Sequence, residues 1–192
     1  KYIASQKPER VAVIHDKQQY GEGIASAVKS TLEDDGIDVV MYEGITAGQK
    51  DFSSLVTKLK KENVDFVYYG GYHPELGLIL RQAQQAKLDA KFMGPEGVGN
   101  KDINTIAGDA AEGLLVTLPP SFDEKAENKS LVDAFAKKGE DPSGPFVLTS
   151  YTAVQLIADG IEKADSKDPI DVAKALRANT FKTPIGDVNR VF

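Results

Sequence analysis

The 192-residue sequence contains no cysteine. That absence excludes disulfide staples, thiolate zinc sites and cysteine nucleophiles together. Histidine is scarce too, with only His15 and His73, and their spacing fits no HExxH-type metal motif. No run of about 18 apolar residues occurs, so no segment is expected to span a membrane. Basic residues do not cluster: 23 Lys and Arg face 29 Asp and Glu, a net charge of −6, which argues against nucleic acid as a partner. The opening Lys1-Tyr2-Ile3-Ala4-Ser5 lacks the apolar stretch and cleavage site of a secretion signal. No G-x-S-x-G elbow is present. Gly21-Glu22-Gly23 lacks the third glycine of a dinucleotide fingerprint and sets a carboxylate where phosphate would lie.

What remains is ordinary globular composition, 41% apolar and 27% charged, enough to build a core. The most informative stretch is Phe66-Val67-Tyr68-Tyr69-Gly70-Gly71-Tyr72-His73-Pro74-Glu75. Its apolar and aromatic first half suits a strand buried on both faces. The glycine pair ends that strand with residues able to take positive φ. Pro74 then opens a helix at a position where its missing N–H is no loss. Tyr72 therefore stands on a turn just past the carboxyl end of a buried strand, where open α/β sheets bind ligands.

The same rhythm runs through the preceding residues. Lys1–Ser5 reads as the tail of a helix, which suggests that the sequence begins within a domain. Arg10–Ile14 is a strand, followed by a polar loop from His15 to Gly23. Ile24, Val28 and Leu32 mark a helix closed by Gly36. Ile37–Tyr42 is a strand, and Asp51 is the N-cap of a helix carrying Phe52, Leu55, Val56 and Leu59 on one side and ending at Asn63. Past Tyr72, a helix bears Leu76, Leu78, Ile79, Leu80 and Ala83. A strand at Lys91–Gly94 ends in Pro95-Glu96-Gly97. A short helix at Asn104–Ala107 and a strand at Gly113–Thr117 follow. This alternation predicts an α/β fold, a doubly wound parallel sheet covered on both faces.

At Leu118-Pro119-Pro120 the pattern changes. Two prolines and an acidic tract, Asp123-Glu124-Lys125-Ala126-Glu127, form a connector. Three helices are expected beyond it, Ser130–Lys138, Phe146–Ala164 and Pro169–Ala178, the last capped by Asp168. The end, from Thr183 to Phe192, reads as turn-rich without a closing element. Two regions follow: an α/β lobe at 1–118 and a crossover with a helical segment at 119–192.

Three strand ends carry chemistry: Tyr20, Tyr72 and Glu96. In a parallel sheet they share the carboxyl edge. Two aromatic faces and a carboxylate suit a small ligand with an apolar side chain and a cation. An enzyme reading rests on Asp16, placed after the first strand as in receiver domains and haloacid phosphatases, together with Glu96. No second acidic residue beside Asp16 completes a magnesium site. No cofactor or metal is indicated.

The runs His15–Gly23, Asp65–Glu75 and Phe92–Gly97, with Asp141-Pro142-Ser143-Gly144-Pro145-Phe146 as a fourth, resemble the periplasmic leucine/isoleucine/valine-binding proteins of bacterial ABC transporters. The likeness covers nearly the whole chain and departs at Asn189–Phe192. It implies a type I periplasmic-binding fold with a binding role rather than a catalytic one, in which two lobes close on an amino acid. It implies that Glu96 receives the α-ammonium while Tyr20, Tyr72 and Phe146 wall the side-chain pocket. Tyr72 would add its hydroxyl near the ammonium, and Gly21 and Gly71 would allow close backbone approach. L-leucine, L-isoleucine, L-valine and a membrane permease are the implied partners, and the periplasm is the implied location. In the family a preceding lobe holds the ligand carboxylate, so residues 1–118 correspond to the second lobe and 119–192 would pack on the first. On that reading the chain is a fragment or engineered derivative with half a site, and its uncovered helices are candidates for self-association. A sensory domain of the same fold and a non-binding scaffold lobe are the alternatives.

Overall fold

A computed structural model describes residues 1–189. The chain divides into two compact units, Lys1–Leu118 and Pro119–Phe192. The first contains α1 (Tyr2–Ser5), β1 (Val11–His15), α2 (Gln19–Asp34), β2 (Val39–Gly44), α3 (Ser53–Lys61), β3 (Phe66–Gly70), α4 (His73–Gln85), β4 (Lys91–Gly94), α5 (Asp102–Ala107) and β5 (Leu115–Val116). Single 3₁₀ turns lie at Glu96–Val98 and Gly108–Ala111. The five strands pair in parallel in the order β2-β1-β3-β4-β5, so the expected parallel sheet is present. The strand order reverses between β1 and β3, which makes their carboxyl ends the topological switch point.

Side-chain alternation sorts the core into two layers. Val11, Val13, Phe66, Tyr68 and Met93 face Ala25 and Leu32 of α2, together with Ile3 of α1. Ala12, Ile14, Val67, Tyr69 and Phe92 face Leu55, Val56 and Leu59 of α3 and Leu76, Ile79 and Leu80 of α4. Every residue of β1 and β3 is buried, as strands covered on both faces require. The edge strand β2 is half-buried and lies two residues later than the sequence pattern indicates.

That shift follows from how the helices end. After α2, Gly36 N–H donates to Glu33 O and Ile37 N–H to Leu32 O. Asn63 and Val64 do the same after α3, and Lys87 and Leu88 after α4. Each pair is a Schellman closure, with a left-handed residue followed by an apolar one. Ile37 is therefore committed to ending α2 rather than to starting β2. The left-handed residues have φ of 76° at Gly36, 49° at Asn63 and 55° at Lys87. Gly36 and Asn63 were expected helix stops, whereas lysine carries no such signal.

The second unit contains α6 (Lys129–Lys137), α7 (Val147–Ala164) and α8 (Pro169–Ala178), each within one residue of its expected start and end. Asp168 caps α8, accepting from Ile170 N–H at 2.9 Å and Asp171 N–H at 3.3 Å. The ending differs from expectation: β6 (Thr180–Thr183) and β7 (Gly186–Asn189) form an antiparallel hairpin rather than an open turn-rich tail. Its stability is non-local. Buried Asn128 donates to Pro184 O at the hairpin turn (2.8 Å) and to Phe122 O (2.7 Å), while Phe181 is buried. Arg190–Phe192, part of the predicted open ending, lie outside the described residues.

Replacing Lys87 by glycine should raise unfolding free energy by about 0.5–1 kcal/mol, because a left-handed non-glycine residue is strained. Urea denaturation checks this, and a lower midpoint for Lys87→Gly would refute it.

Candidate functional site

Helix α2 begins inside the stretch read as a loop, and this decides where Tyr20 stands. Asp16, only 1% exposed, accepts the Gln18 N–H through Oδ1 at 2.9 Å. Glu22 N–H then donates to Gln18 O at 2.9 Å, which starts the helix. A Cβ on Gly21 would overlap the Asp16 carboxylate and stand 2.6 Å from Gly70 O. Only glycine lets the first turn of α2 lie flat against the end of β3. Gly70 faces it as an ordinary strand residue rather than a left-handed turn, so the glycine pair serves close approach as well as chain reversal.

Tyr20 in α2, Tyr72 as the N-cap of α4 and Glu96 after β4 are brought together. The Tyr20 hydroxyl donates to Glu96 Oε1 at 2.7 Å. Its ring stacks on that of Tyr72 with centroids 5.2 Å apart and planes inclined by 30°. Gly97 N–H donates to Tyr20 Oη at 3.3 Å. A Cβ on Gly97 would stand 2.7 Å from Gly71 O and 3.1 Å from the Tyr20 ring. Three strand-end loops thus meet at Gly97, a role sequence reasoning did not assign. The available signal was a glycine directly after the candidate carboxylate. Tyr72 is 47% exposed and Glu96 half-buried, so an aromatic face and a carboxylate remain open to solvent.

Phe146 belongs to the second unit, as the half-exposed N-cap of α7. His15 is buried, its ring 5.0 Å from that of Tyr42, and Nδ1 accepts Lys17 N–H at 3.2 Å. His73 opens α4. Asp16 is taken up by the start of α2. Among the described residues no cluster of acidic and histidine side chains could hold a metal ion.

Burial, and then the hydrogen bond to Glu96, push the Tyr20 phenol up to about 12. Burial dominates at Tyr68 and Tyr69 as well and raises both, with nearby Tyr20 and Glu96 adding to it at Tyr68 and Glu75 and Asp16 at Tyr69. Tyr20 therefore remains a hydrogen-bond donor to the carboxylate across neutral and moderately alkaline pH.

A model of the periplasmic binding protein family matches residues 1–191. The chain belongs to that family. The family match runs past Asn189, where the resemblance was expected to end. The chain is 62% identical over 189 residues to the leucine-, isoleucine-, valine-, threonine- and alanine-binding protein of Pseudomonas aeruginosa, an alignment covering 98% of this chain and 51% of that one. It is 56% identical over 187 residues to the Leu/Ile/Val-binding protein of Escherichia coli, covering 97% and 50% of the two chains. The chain thus spans about half the length of the relatives it matches. A leucine-binding protein from Thermotoga maritima superposes with a TM-score of 0.84 at 27% identity, over 96% of this chain and 54% of that one. These likenesses place the parallel sheet within the type I periplasmic-binding architecture.

The raised phenols give this periplasmic binding protein a defined alkaline limit. Unfolded tyrosine ionises near pH 10, below the folded values, so the unfolded chain releases these protons first. Stability should be intact below about pH 10 and fall as pH rises towards 12. Urea midpoints measured between pH 8 and 11.5 check this, and a midpoint that is flat or rises above pH 10 would refute it.

Proposed function

We propose that residues 1–118 supply one wall of a cleft for branched-chain amino acids, L-leucine, L-isoleucine or L-valine, within a solute-binding component that serves an ABC-type permease in the periplasm. The role is to bind and deliver, without catalysis. Glu96 accepts the ligand's α-ammonium, and the stacked Tyr20 and Tyr72 rings form an apolar wall for the side chain. Phe146, the remaining expected contact, stands half-exposed at the head of α7 in the second unit. The observation that carries this reading is the convergence of two tyrosine rings and one carboxylate at the sheet's switch point, held by a 2.7 Å hydroxyl–carboxylate bond. A carboxylate beside aromatic rings attracts an ammonium more strongly than it would in bulk water. The names of the relatives, which bind leucine, isoleucine and valine, support the same ligand class. No helix among the described residues is long and apolar enough to cross a membrane, which is consistent with a separate permease.

The second unit supports a companion proposal. Val154, Ile157 and Ile170 are 68%, 54% and 65% exposed on α7 and α8. On α6, Leu131 and Phe135 are only partly buried, with Phe135 in edge contact with Tyr151 at 6.0 Å. In a longer protein of this family these faces rest on its other lobe. Alone, the chain associates through them.

Calorimetric titration of this chain with L-leucine to millimolar concentration tests the ligand. Binding is expected to weaken at least about tenfold in Glu96→Gln, the loss of one charged hydrogen bond. Equal heats from the two proteins would discard Glu96 as the ammonium acceptor, and no heat from either would discard binding by this chain. For the helices, light scattering should show mass increasing with concentration, with apolar-dye fluorescence that falls on association. A monomer that binds no dye would end that proposal.

A further inference from the structure

The hydroxyl of Tyr20 has a function separate from that of its ring. We propose that Tyr20 is a positioning residue for Glu96, holding one carboxylate oxygen so that Oε2 alone is offered to a ligand cation. The inference rests on the proposed ammonium-accepting role of Glu96.

The hydrogen bonds run in one direction. Gly97 N–H donates to Tyr20 Oη at 3.3 Å, and the phenol passes its single proton to Glu96 Oε1 at 2.7 Å. A phenol that accepts from a backbone amide and donates to a carboxylate has one favourable torsion, so the proton is directed before a ligand arrives. Among the described residues no donor is bonded to Oε2. The ring cannot follow a rotating carboxylate, because it is stacked on Tyr72 and its edge lies where a Gly97 side chain would be. Gly97 itself is boxed in, since any Cβ there would meet the Gly71 carbonyl at 2.7 Å. Three loops therefore fix the phenol, and the phenol fixes the carboxylate. Burial keeps the hydroxyl protonated up to about pH 12, so the contact does not become a charge repulsion within the working range.

Preorganisation of this kind favours the group that exploits the oriented oxygen over the rest of the ligand. Without the hydroxyl, Glu96 keeps its charge but loses its fixed direction. The cost should fall on recognition of the ammonium and leave the apolar contacts made by the rings nearly unchanged. Discrimination between an ammonium-bearing ligand and its counterpart without the ammonium is therefore the property that the hydroxyl controls.

The test compares wild type with Tyr20→Phe by NMR, observing the Gly97 amide and the Glu96 side-chain carboxyl carbon. Each protein is titrated with L-leucine and with 4-methylpentanoate, which lacks the ammonium. Tyr2→Phe, a distant exposed tyrosine, is the control and should alter nothing. In Tyr20→Phe both NMR signals should shift, and the preference for leucine over 4-methylpentanoate should fall about tenfold, the weight of one charge-assisted hydrogen bond. Equal weakening of both ligands would mean general loosening and overturn the proposal. So would unmoved Gly97 and Glu96 signals. If wild type binds neither ligand, the amino-acid reading for this chain fails, while the two signals still decide whether the hydroxyl holds the carboxylate.

Discussion

The arrangement depends on a close backbone contact, Gly21 of α2 against Gly70 at the end of β3. No side chain fits between them, so the first turn of α2 lies directly on the sheet edge. Asp16 is the third party to that contact, fully buried and spent on the amide that starts the helix. Tyr20, one residue before Gly21, is thereby aimed across the switch point rather than out into solvent. Move the helix outward by the width of one methyl group and its hydroxyl no longer reaches Glu96. The steric rule at Gly21 thus sets the geometry of a hydrogen bond to a residue 76 positions away.

From that contact the physical roles divide cleanly. The sheet supplies rigidity, since β1 and β3 are buried throughout and their alternate residues lock helices on both faces. The loops at the carboxyl ends supply chemistry, each contributing one group: a phenol, an aromatic face, a carboxylate. A site on rigid strand ends holds its geometry better than one built on long loops, where each added free torsion would blur the 2.7 Å contact. The carboxylate is half-buried, partnered at one oxygen and open at the other. It is therefore stable without a ligand and still able to receive a cation.

The opposite sheet edge shows a different economy. Three successive helices end in the same Schellman closure, although the left-handed position is filled in turn by glycine, asparagine and lysine. A repeated backbone solution with unrelated residues shows that the helix-to-strand return is imposed by packing, with the apolar residue that follows acting as the anchor. Lysine at that position tolerates strain because Leu88 and the core beneath it over-determine the turn.

Much of this was legible in the residues themselves. The alternation of apolar runs with helical periodicity up to residue 117 specified the parallel α/β lobe, because burial on two faces demands unbroken apolar strands. The pairing of Tyr20, Tyr72 and Glu96 at one edge followed from parallel topology alone, and Asp168 announced the start of α8. Tertiary structure decided the rest. It started α2 at Gln19 within a glycine-bearing polar stretch, because contact with β3 outweighs the weak helix propensity of glycine. It made a hairpin of Thr180–Asn189, because its anchors, Asn128 and buried Phe181, act across distances that local pattern cannot register. It also gave Gly97 its place between Gly71 and Tyr20. Local sequence carries periodicity and turn chemistry. The angle at which one backbone meets another is known only once the layers have packed.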